Sequence, residues 1–124
     1  MTDPRHTLGQ TGEQLAAEHL QRAGCTIHAR NWRHSTYGEL DIIAQDGDEL
    51  VFVEVRTRRG PLTAAIDAAL ESITPQKRAR LLALAQAYRS AHDLEHVLWR
   101  VDVIAVAMHN QRHTLEVIRD ALAW

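Results

Sequence analysis

The sequence predicts an α/β domain in which helices flank a five-stranded mixed sheet. Two strand-like segments joined by a tight turn lie between Gly38 and Arg59, and a strong helix signal begins at Thr74. A nearly continuous apolar run follows over 97–107. Parallel strands need a long crossover, usually a helix, and continuous apolar runs are typical of strands covered on both faces. The order of these signals therefore predicts a sheet with a helical crossover.

The first helix is predicted between about Thr11 and Ala23, where apolar residues recur at helical spacing, and Gly24 supplies a stop signal. The apolar positions are Leu15, Ala16, Leu20 and Ala23. A first strand follows over 25–30, where apolar and polar residues alternate, and it leads into Asn31-Trp32-Arg33. A polar turn over 34–38 then returns the chain.

The next two strands form a hairpin with one apolar face, because strand side chains alternate between faces. The apolar face is predicted to hold Leu40, Ile42, Ala44, Val51, Val53 and Val55. The mixed face is predicted to hold Glu39, Asp41, Ile43, Leu50, Phe52, Glu54 and Arg56. Asp46-Gly47 is a typical type I′ turn pair. With that turn the opposed residues are Ile43 and Leu50, Asp41 and Phe52, and Glu39 and Glu54.

Asp41 and Glu54 become diagonal neighbours on the mixed face of this hairpin. Carboxylates at such range repel each other unless a cation or a shared proton intervenes. Hard oxygen ligands without a His or Cys companion suit Mg²⁺ or Mn²⁺ better than zinc. We therefore expect Asp41 and Glu54 to be metal ligands, with the backbone carbonyl of Val55 as a further ligand, and phosphoryl chemistry as the reaction class.

The main helix is predicted to begin with Thr74 as N-cap and Pro75 at its first position. Its first two turns carry Lys77, Arg78 and Arg80, where the helix dipole disfavours cations. A phosphate backbone would offset this, since helix N-termini and basic side chains both attract it. Solvated charges on an exposed helical face are the alternative.

The strand over 97–107 is interrupted by Arg100 and Asp102, which lie two residues apart on one face. We interpret them as a structural ion pair or a satisfied edge contact, with a catalytic role as the minor alternative. Leu115, Val117 and Ile118 predict a short last strand, although the alternation there is poor.

Several segments together resemble the YraN-like family of small bacterial proteins. They are Gly12-Glu13, Arg30-Asn31, GELDIIA over 38–44, FVEVRTR over 52–58 and RVDVIA over 100–105. The resemblance covers about residues 8 to 120. Asp41 followed by Glu54-Val55-Arg56 also resembles the PD-(D/E)xK nuclease motif, without its proline-aspartate start and with Arg56 in the position of the motif lysine. The resemblance implies a restriction-endonuclease-like three-layer fold related to archaeal Holliday-junction resolvases.

The resemblance also implies catalytic roles. Glu13 matches a helix-borne glutamate at the metal site, although an acidic residue near a helix N-terminus is favoured by the dipole without any function. Arg56 can stabilise charge, but its guanidinium stays protonated and cannot act as a general base. Lys77 from the neighbouring helix could supply the missing lysine. The candidate catalytic residues are Glu13, Asp41, Glu54, Arg56 and Lys77.

These features predict a Mg²⁺- or Mn²⁺-dependent endonuclease acting on DNA, with branched or damaged DNA as candidate substrates. The expected DNA contacts are Arg58, Arg59, Lys77 and Arg78, which flank the acidic hairpin and begin the main helix. A catalytically silent nucleic-acid-binding or protein-interaction module with the same fold is the alternative from another functional class.

Composition limits these hypotheses. A chain of 124 residues is one domain, residues 1–124, large enough for a single core. The lone Cys25 cannot form an internal disulfide, which together with the lack of a signal-like N-terminus predicts a cytoplasmic location. No apolar run approaches the roughly 20 residues that a membrane helix needs. The net charge of −2 argues against a nonspecific DNA coat protein, and a homodimer is left open.

The segment from His92 to His96 matches H-x-x-E-H, a zinc-protease pattern that requires a firm helix. It follows Ser90 at a predicted helix end and runs into a strand. We therefore interpret its histidines, like His109 and His113, as surface residues.

Overall fold

The structure, a computed structural model, describes residues 4–122. The helices are α1 (Pro4–Arg22), α2 (Leu62–Glu71) and α3 (Pro75–Ala91), and the strands are β1 (Thr26–His34), β2 (Gly38–Asp46), β3 (Glu49–Arg59), β4 (Leu98–His109) and β5 (Arg112–Ile118). The sheet order is β1-β2-β3-β4-β5, with β3 and β4 parallel and the other pairs antiparallel. The predicted α/β class with a five-stranded mixed sheet is confirmed. Residues 1–3 and 123–124 of the predicted domain lie outside the described residues.

One face of the sheet is covered by α1. Small residues of this helix, Ala16 and Ala17, pack with Leu20 against apolar side chains of the three central strands. Those strand residues are Ile42, Ala44, Val51, Val53, Val55, Ile104 and Val106. Small helix residues let the backbone approach the sheet closely, and Gly12 of the same helix lies against Thr57 of β3.

The other face is shared by α3 and α2. Leu81, Leu84, Ala85 and Tyr88 of α3 pack on Leu50, Phe52 and Val101. Farther along the strands, Ala65 and Ala69 of α2 pack on Val103, Ala105 and Ala107. The result is a three-layer arrangement of one helix, the sheet and two helices. Helix α3 returns the chain from β3 to the parallel strand β4, which confirms the predicted crossover.

The register of the β2–β3 hairpin differs from the prediction by two residues. Ile43 lies opposite Phe52 and Gln45 opposite Leu50, so the predicted pairs of Ile43 with Leu50, Asp41 with Phe52 and Glu39 with Glu54 are wrong. The two turn residues are Gly47 and Asp48. Gly47 has φ +59 and Asp48 is not among the residues with positive φ, which is the pattern of a turn with glycine first, as in type II′.

The alternation of faces along β2 also breaks, which the sequence did not predict. Ile42 and Ala44 pack under α1, but Leu40 packs with Ile43 in the cluster under α3. The recorded pairing of β2 with β3 ends at Ile42 and Val53. Beyond these two residues the β2–β3 pairing stops, so a side chain of β2 can turn toward the backbone of β3. Asp41 is the residue that does so.

The start of one helix differs from the prediction, and a second helix was not predicted. Helix α1 begins at Pro4 rather than near Thr11. Its start could not be predicted because the first two turns are polar and lack apolar periodicity. Helix α2 was not predicted at all. It is short, and its N-cap is Pro61, whose side chain cannot supply a capping hydrogen bond. The strands β1 and β5 are longer than predicted.

The start of α3 and the Arg100–Asp102 pair agree with the predictions. The hydroxyl of Thr74 accepts a hydrogen bond from the backbone N–H of Lys77 at 3.1 Å, and Pro75 takes the first helical position. Arg100 Nε donates to the buried carboxylate of Asp102 at 3.0 Å. None of the helices within residues 4–122 has the length and apolar character needed to cross a membrane.

Candidate functional site

Helix α1 brings Glu13 to the sheet through the glycine before it. A Cβ on Gly12 would overlap the hydroxyl oxygen of Thr57 on β3, so only glycine permits this approach. The Thr57 hydroxyl is buried against the helix. Glu13 follows directly and is partly buried, and the pKa of its carboxyl group is raised, first by burial and next by the charge of Glu39.

Asp41 lies where β2 and β3 separate. Its Oδ2 accepts a hydrogen bond from the backbone N–H of Val55 at 2.8 Å, which replaces the ladder bond that the broken pairing no longer supplies. Burial, followed by the charge of Glu54, raises the pKa of Asp41 to about 7, against the opposing effect of the Val55 N–H. The surroundings of Asp41 therefore disfavour its ionised form.

Glu54 is almost fully buried, with 6% of its surface exposed. Its Oε1 lies 2.9 Å from the Nζ of Lys77, which stands in the first turn of α3. The Thr74 cap fixes the start of that helix and thereby the position of Lys77. Glu54 thus has a cation at hydrogen-bond distance.

Asn31 links Glu13 to Glu39, two residues on different elements. It has φ +53, in the left-handed region that asparagine tolerates better than most residues. With its amide nitrogen turned toward the carboxylates, Asn31 donates to Glu39 Oε1 at 2.7 Å and to Glu13 Oε2 at 3.0 Å. Arg33 adds an ion pair to Glu39 at 3.1 Å. The carboxylates of Glu13, Glu39, Asp41 and Glu54 therefore form one electrostatically coupled group.

Sequence reasoning missed Asn31 and Glu39 as site residues. The sequence did contain features that could have identified them. Asn31 belongs to the Arg30-Asn31 motif, and Glu39 was predicted on the mixed face of the hairpin. An open cleft of about 510 Å³ adjoins them. It is lined by His6, Gly9, Gln10, Glu13, Asn31, Arg33 and Glu39.

The predicted site residues fall into two groups. Asp41 and Glu54 lie close enough to raise the pKa of Asp41, Glu13 joins them from α1, and Lys77 reaches Glu54 from α3. Arg56, Arg58 and Arg59 are exposed along the last part of β3, and Arg78 is half-buried on α3. Val55 contacts Asp41 through its N–H, and the metal-ligand role of its carbonyl stays a prediction.

The oxygen ligands fit a hard divalent cation in chemistry but do not enclose one. Within residues 4–122, no three His, Cys, Asp or Glu side chains are arranged so that they could together hold a metal ion. Mg²⁺ commonly uses only one or two carboxylates, with waters and substrate phosphates as its other ligands. Two carboxylates, Asp41 and Glu54, are compatible with this mode of binding.

The H-x-x-E-H segment does not form the helical site that its pattern requires. Helix α3 ends at Ala91, His92 is its C-cap, and Asp93 has φ +55. The ring of His92 stacks on Tyr88 at 4.1 Å between centroids. The interpretation of this segment as something other than a helical zinc site is confirmed, because the chain leaves the helix after its first histidine.

Comparisons with known proteins identify a family. A model of the family described as "Uncharacterised protein family UPF0102" matches residues 12–106. A UPF0102 protein of Chloroflexus aurantiacus is 50% identical over 113 residues, which are 90% of this chain and 88% of that protein. A UPF0102 protein of Nitratidesulfovibrio vulgaris is 48% identical over 122 residues, covering 98% of this chain and 87% of that protein.

A solved structure shows weak similarity to this chain. It is the structure of Pyrococcus furiosus SfsA in complex with Ca²⁺, with a TM-score of 0.35 and 14% sequence identity. The match covers 93% of this chain, which spans 62% of the length of that protein. A score this low supports no inference about function.

Proposed function

This chain belongs to the UPF0102 family, the YraN-like family that its motifs resemble, and within it we propose that the protein is a metal-dependent DNA endonuclease. The proposed reaction is hydrolysis of phosphodiester bonds, with branched or damaged DNA as the substrate class. One observation carries the proposal: the half-buried carboxylate of Asp41 interacts electrostatically with the buried carboxylate of Glu54, and Lys77 contacts Glu54 at 2.9 Å.

Asp41 and Glu54 would hold Mg²⁺ or Mn²⁺, with the Val55 carbonyl as a further oxygen ligand. The bound ion would lower the pKa of a water and stabilise charge on the phosphoryl oxygens. Asp41 keeps its orientation through the Val55 N–H, and its side chain also forms a hydrogen bond with that of Glu13. Glu13 and Glu39, held together by Asn31, supply further negative charge that favours a cation at this position.

Lys77 takes the role that the motif assigns to a lysine on the hairpin. Its ammonium group, 2.9 Å from Glu54 Oε1, holds that carboxylate in place and can stabilise negative charge on a phosphate bound beside it. Arg56 is exposed, so it is assigned a contact with substrate phosphate.

A catalytically silent nucleic-acid-binding or protein-interaction module is the second candidate. The observation that favours it is again the Lys77–Glu54 pair, because the ammonium group compensates the buried carboxylate without a metal. In that case the fold retains the pair for stability, since removing one partner of a buried ion pair is strongly destabilising.

Cleavage assays on linear, flapped and four-way DNA in Mg²⁺ or Mn²⁺ test the two candidates. We expect metal-dependent cleavage that Glu54→Gln reduces by about 100-fold or more, because loss of a ligand removes several kcal/mol of charge stabilisation. Lys77→Met should also reduce cleavage. Arg56→Lys in the Lys77→Met background should restore part of it, because position 56 lies two residues from Glu54 on the same strand face.

Glu95→Gln is the matched control. It removes an exposed glutamate beyond the C-terminus of α3, and that terminus lies about 21 Å along the helix from Lys77. Its cleavage rate should equal that of the wild type. Absence of cleavage of every substrate by the wild type and by Arg56→Lys, with intact fold, would favour the silent module.

A further inference from the structure

Tyr37, in the turn between β1 and β2, is the most exposed of the phenylalanine, tyrosine and tryptophan side chains within residues 4–122, at 41%. It does not extend freely into solvent. Its ring stacks on His34, with 4.9 Å between centroids and 19° between planes. This stacking holds the exposed ring of Tyr37 in one orientation on the turn.

A chain of side-chain contacts connects Tyr37 to the hydrophobic core. His34 Nδ1 accepts a hydrogen bond from the Thr36 N–H at 3.1 Å, which fixes its ring. Trp32 lies 6.2 Å from His34 and makes an edge contact with the buried Tyr88 at 5.3 Å. The ring of Tyr37 is therefore preorganised, so a planar ligand that stacks on it loses little further conformational entropy.

Cationic side chains connect this ring to the candidate site. Arg80 of α3 passes beside the turn, with its Nη1 3.8 Å from the position that a Cβ on Gly38 would take. Lys77 lies one turn earlier on the same helix face, in contact with Glu54. A groove of about 360 Å³ runs along these cations. It is lined by Ser72, Thr74, Gln76, Lys77 and Arg80.

We propose that Tyr37 is a stacking platform for one unpaired nucleobase, with Arg80 binding the adjoining phosphate, so that the protein selects DNA with a single-stranded segment next to the bond that it cuts. This inference rests on the proposed nuclease function and narrows its substrate class. Aromatic rings alternating with cations are the usual surface for single-stranded nucleic acid, because every base has a stacking face.

Distance and base chemistry are consistent with this selection. Tyr37 and Asp41 are four positions apart in the sequence, so their Cα atoms are at most about 14 Å apart. That is about four base steps along one strand of B-form DNA. A base inside a duplex has both faces covered by its neighbours and must be unstacked to reach Tyr37. An unpaired base at a flap or junction avoids this cost.

Fluorescence of 2-aminopurine tests the proposal in EDTA, where no cleavage interferes. Two otherwise identical flapped oligonucleotides carry the probe either at the first unpaired position or within the duplex. Wild type should quench the unpaired probe and leave the paired probe unchanged. Tyr37→Ala should abolish the quenching and weaken binding of the flap about 5- to 100-fold, whereas Tyr37→Phe should retain both.

Arg80→Ala and Arg119→Ala form a matched pair of charge deletions. Arg80 lies beside Gly38, whereas Arg119 approaches Asp46 at the opposite end of β2. Only Arg80→Ala should weaken flap binding. The proposal is overturned if Tyr37→Ala binds the flap as tightly as wild type, or if paired and unpaired probes are quenched alike.

The two proposals fail differently. Cleavage that depends on metal and Glu54 but is unchanged in Tyr37→Ala supports the nuclease and refutes the platform. Quenching that depends on Tyr37 without any cleavage in Mg²⁺ or Mn²⁺ supports the platform on a silent module. A wild type that binds no DNA in either assay refutes both.

Discussion

Asp41 carries a carboxyl group that is mostly buried beside Glu54, and its pKa is raised from 3.8 to about 7. The folded state therefore binds a proton more tightly than the unfolded state does. Between these two pKa values the unfolded chain loses its proton first, so the free energy of unfolding falls as pH rises. This group costs no stability below about pH 4 and its full penalty is reached above pH 7.

Asp41→Asn should remove this loss of unfolding free energy in the metal-free protein. The asparagine oxygen can still accept from Val55 N–H, but it carries no charge. We expect the variant to be more stable than wild type by about 2 kcal/mol at pH 8 and by much less at pH 4. Urea unfolding in EDTA at the two pH values measures this. An equal difference at both values would show that Asp41 has an ordinary pKa.

At the scale of the secondary-structure elements, the contact of α1 with β3 depends on Gly12. Gly12→Ala should destabilise the protein by about 1–3 kcal/mol, because its methyl group would overlap Thr57 and push the helix from the sheet. Gly9→Ala is the matched control in the same helix, since a Cβ there meets nothing within 4 Å. It should stabilise by about 0.5–1 kcal/mol.

Thr57→Ala in the Gly12→Ala background provides the second arm of this test. Removing the hydroxyl and methyl groups of Thr57 should recover part of the lost stability, as measured by thermal unfolding. If Gly12→Ala and Gly9→Ala shift the melting temperature in the same direction, α1 does not contact β3 through Gly12.

The elements of the fold could be predicted from sequence where local patterning defines them. Thr74-Pro75 fixed the start of α3 because capping and proline preferences act within one turn. The register of the hairpin depends on which two residues form the turn, and both Asp46-Gly47 and Gly47-Asp48 were chemically suitable. Helix α2 lacks a capping side chain, so its start gave no local signal.

The candidate site was predictable only in part for a related reason. Asp41 and Glu54 were identified as carboxylates in a strand face, a local feature. The turning of Asp41 toward Val55 depends on the end of the β2–β3 pairing, and the contact of Lys77 with Glu54 depends on how α3 packs. The bridge from Asn31 to Glu13 and Glu39 needs a left-handed backbone at residue 31. These are tertiary features.

At the scale of the whole molecule, the net charge is only −2, so DNA binding depends on local groups of cations. The proposed DNA contacts are Arg58, Arg59, Lys77 and Arg78. Replacing all four by alanine should weaken DNA binding similarly for all sequences and reduce the slope of log affinity against log salt by about 3 to 4. Fluorescence anisotropy at several salt concentrations measures the slope.

Arg119→Ala serves as the control for this salt dependence, because Arg119 lies near Asp46 at the other end of β2 and is not a proposed contact. Its slope should match that of wild type. A quadruple variant with unchanged slope would mean that DNA binds another surface or is held without phosphate contacts.

The central claim is that Asp41 and Glu54 form a metal site, and isothermal titration of the metal-free protein with Mn²⁺ at pH 8 tests it most directly. At this pH Asp41 is ionised, since its pKa is about 7. We predict one saturable binding event per chain in wild type and in Glu95→Gln, and loss of that event in both Asp41→Asn and Glu54→Gln. Absence of binding to wild type, or equal binding to all four proteins, would contradict the account.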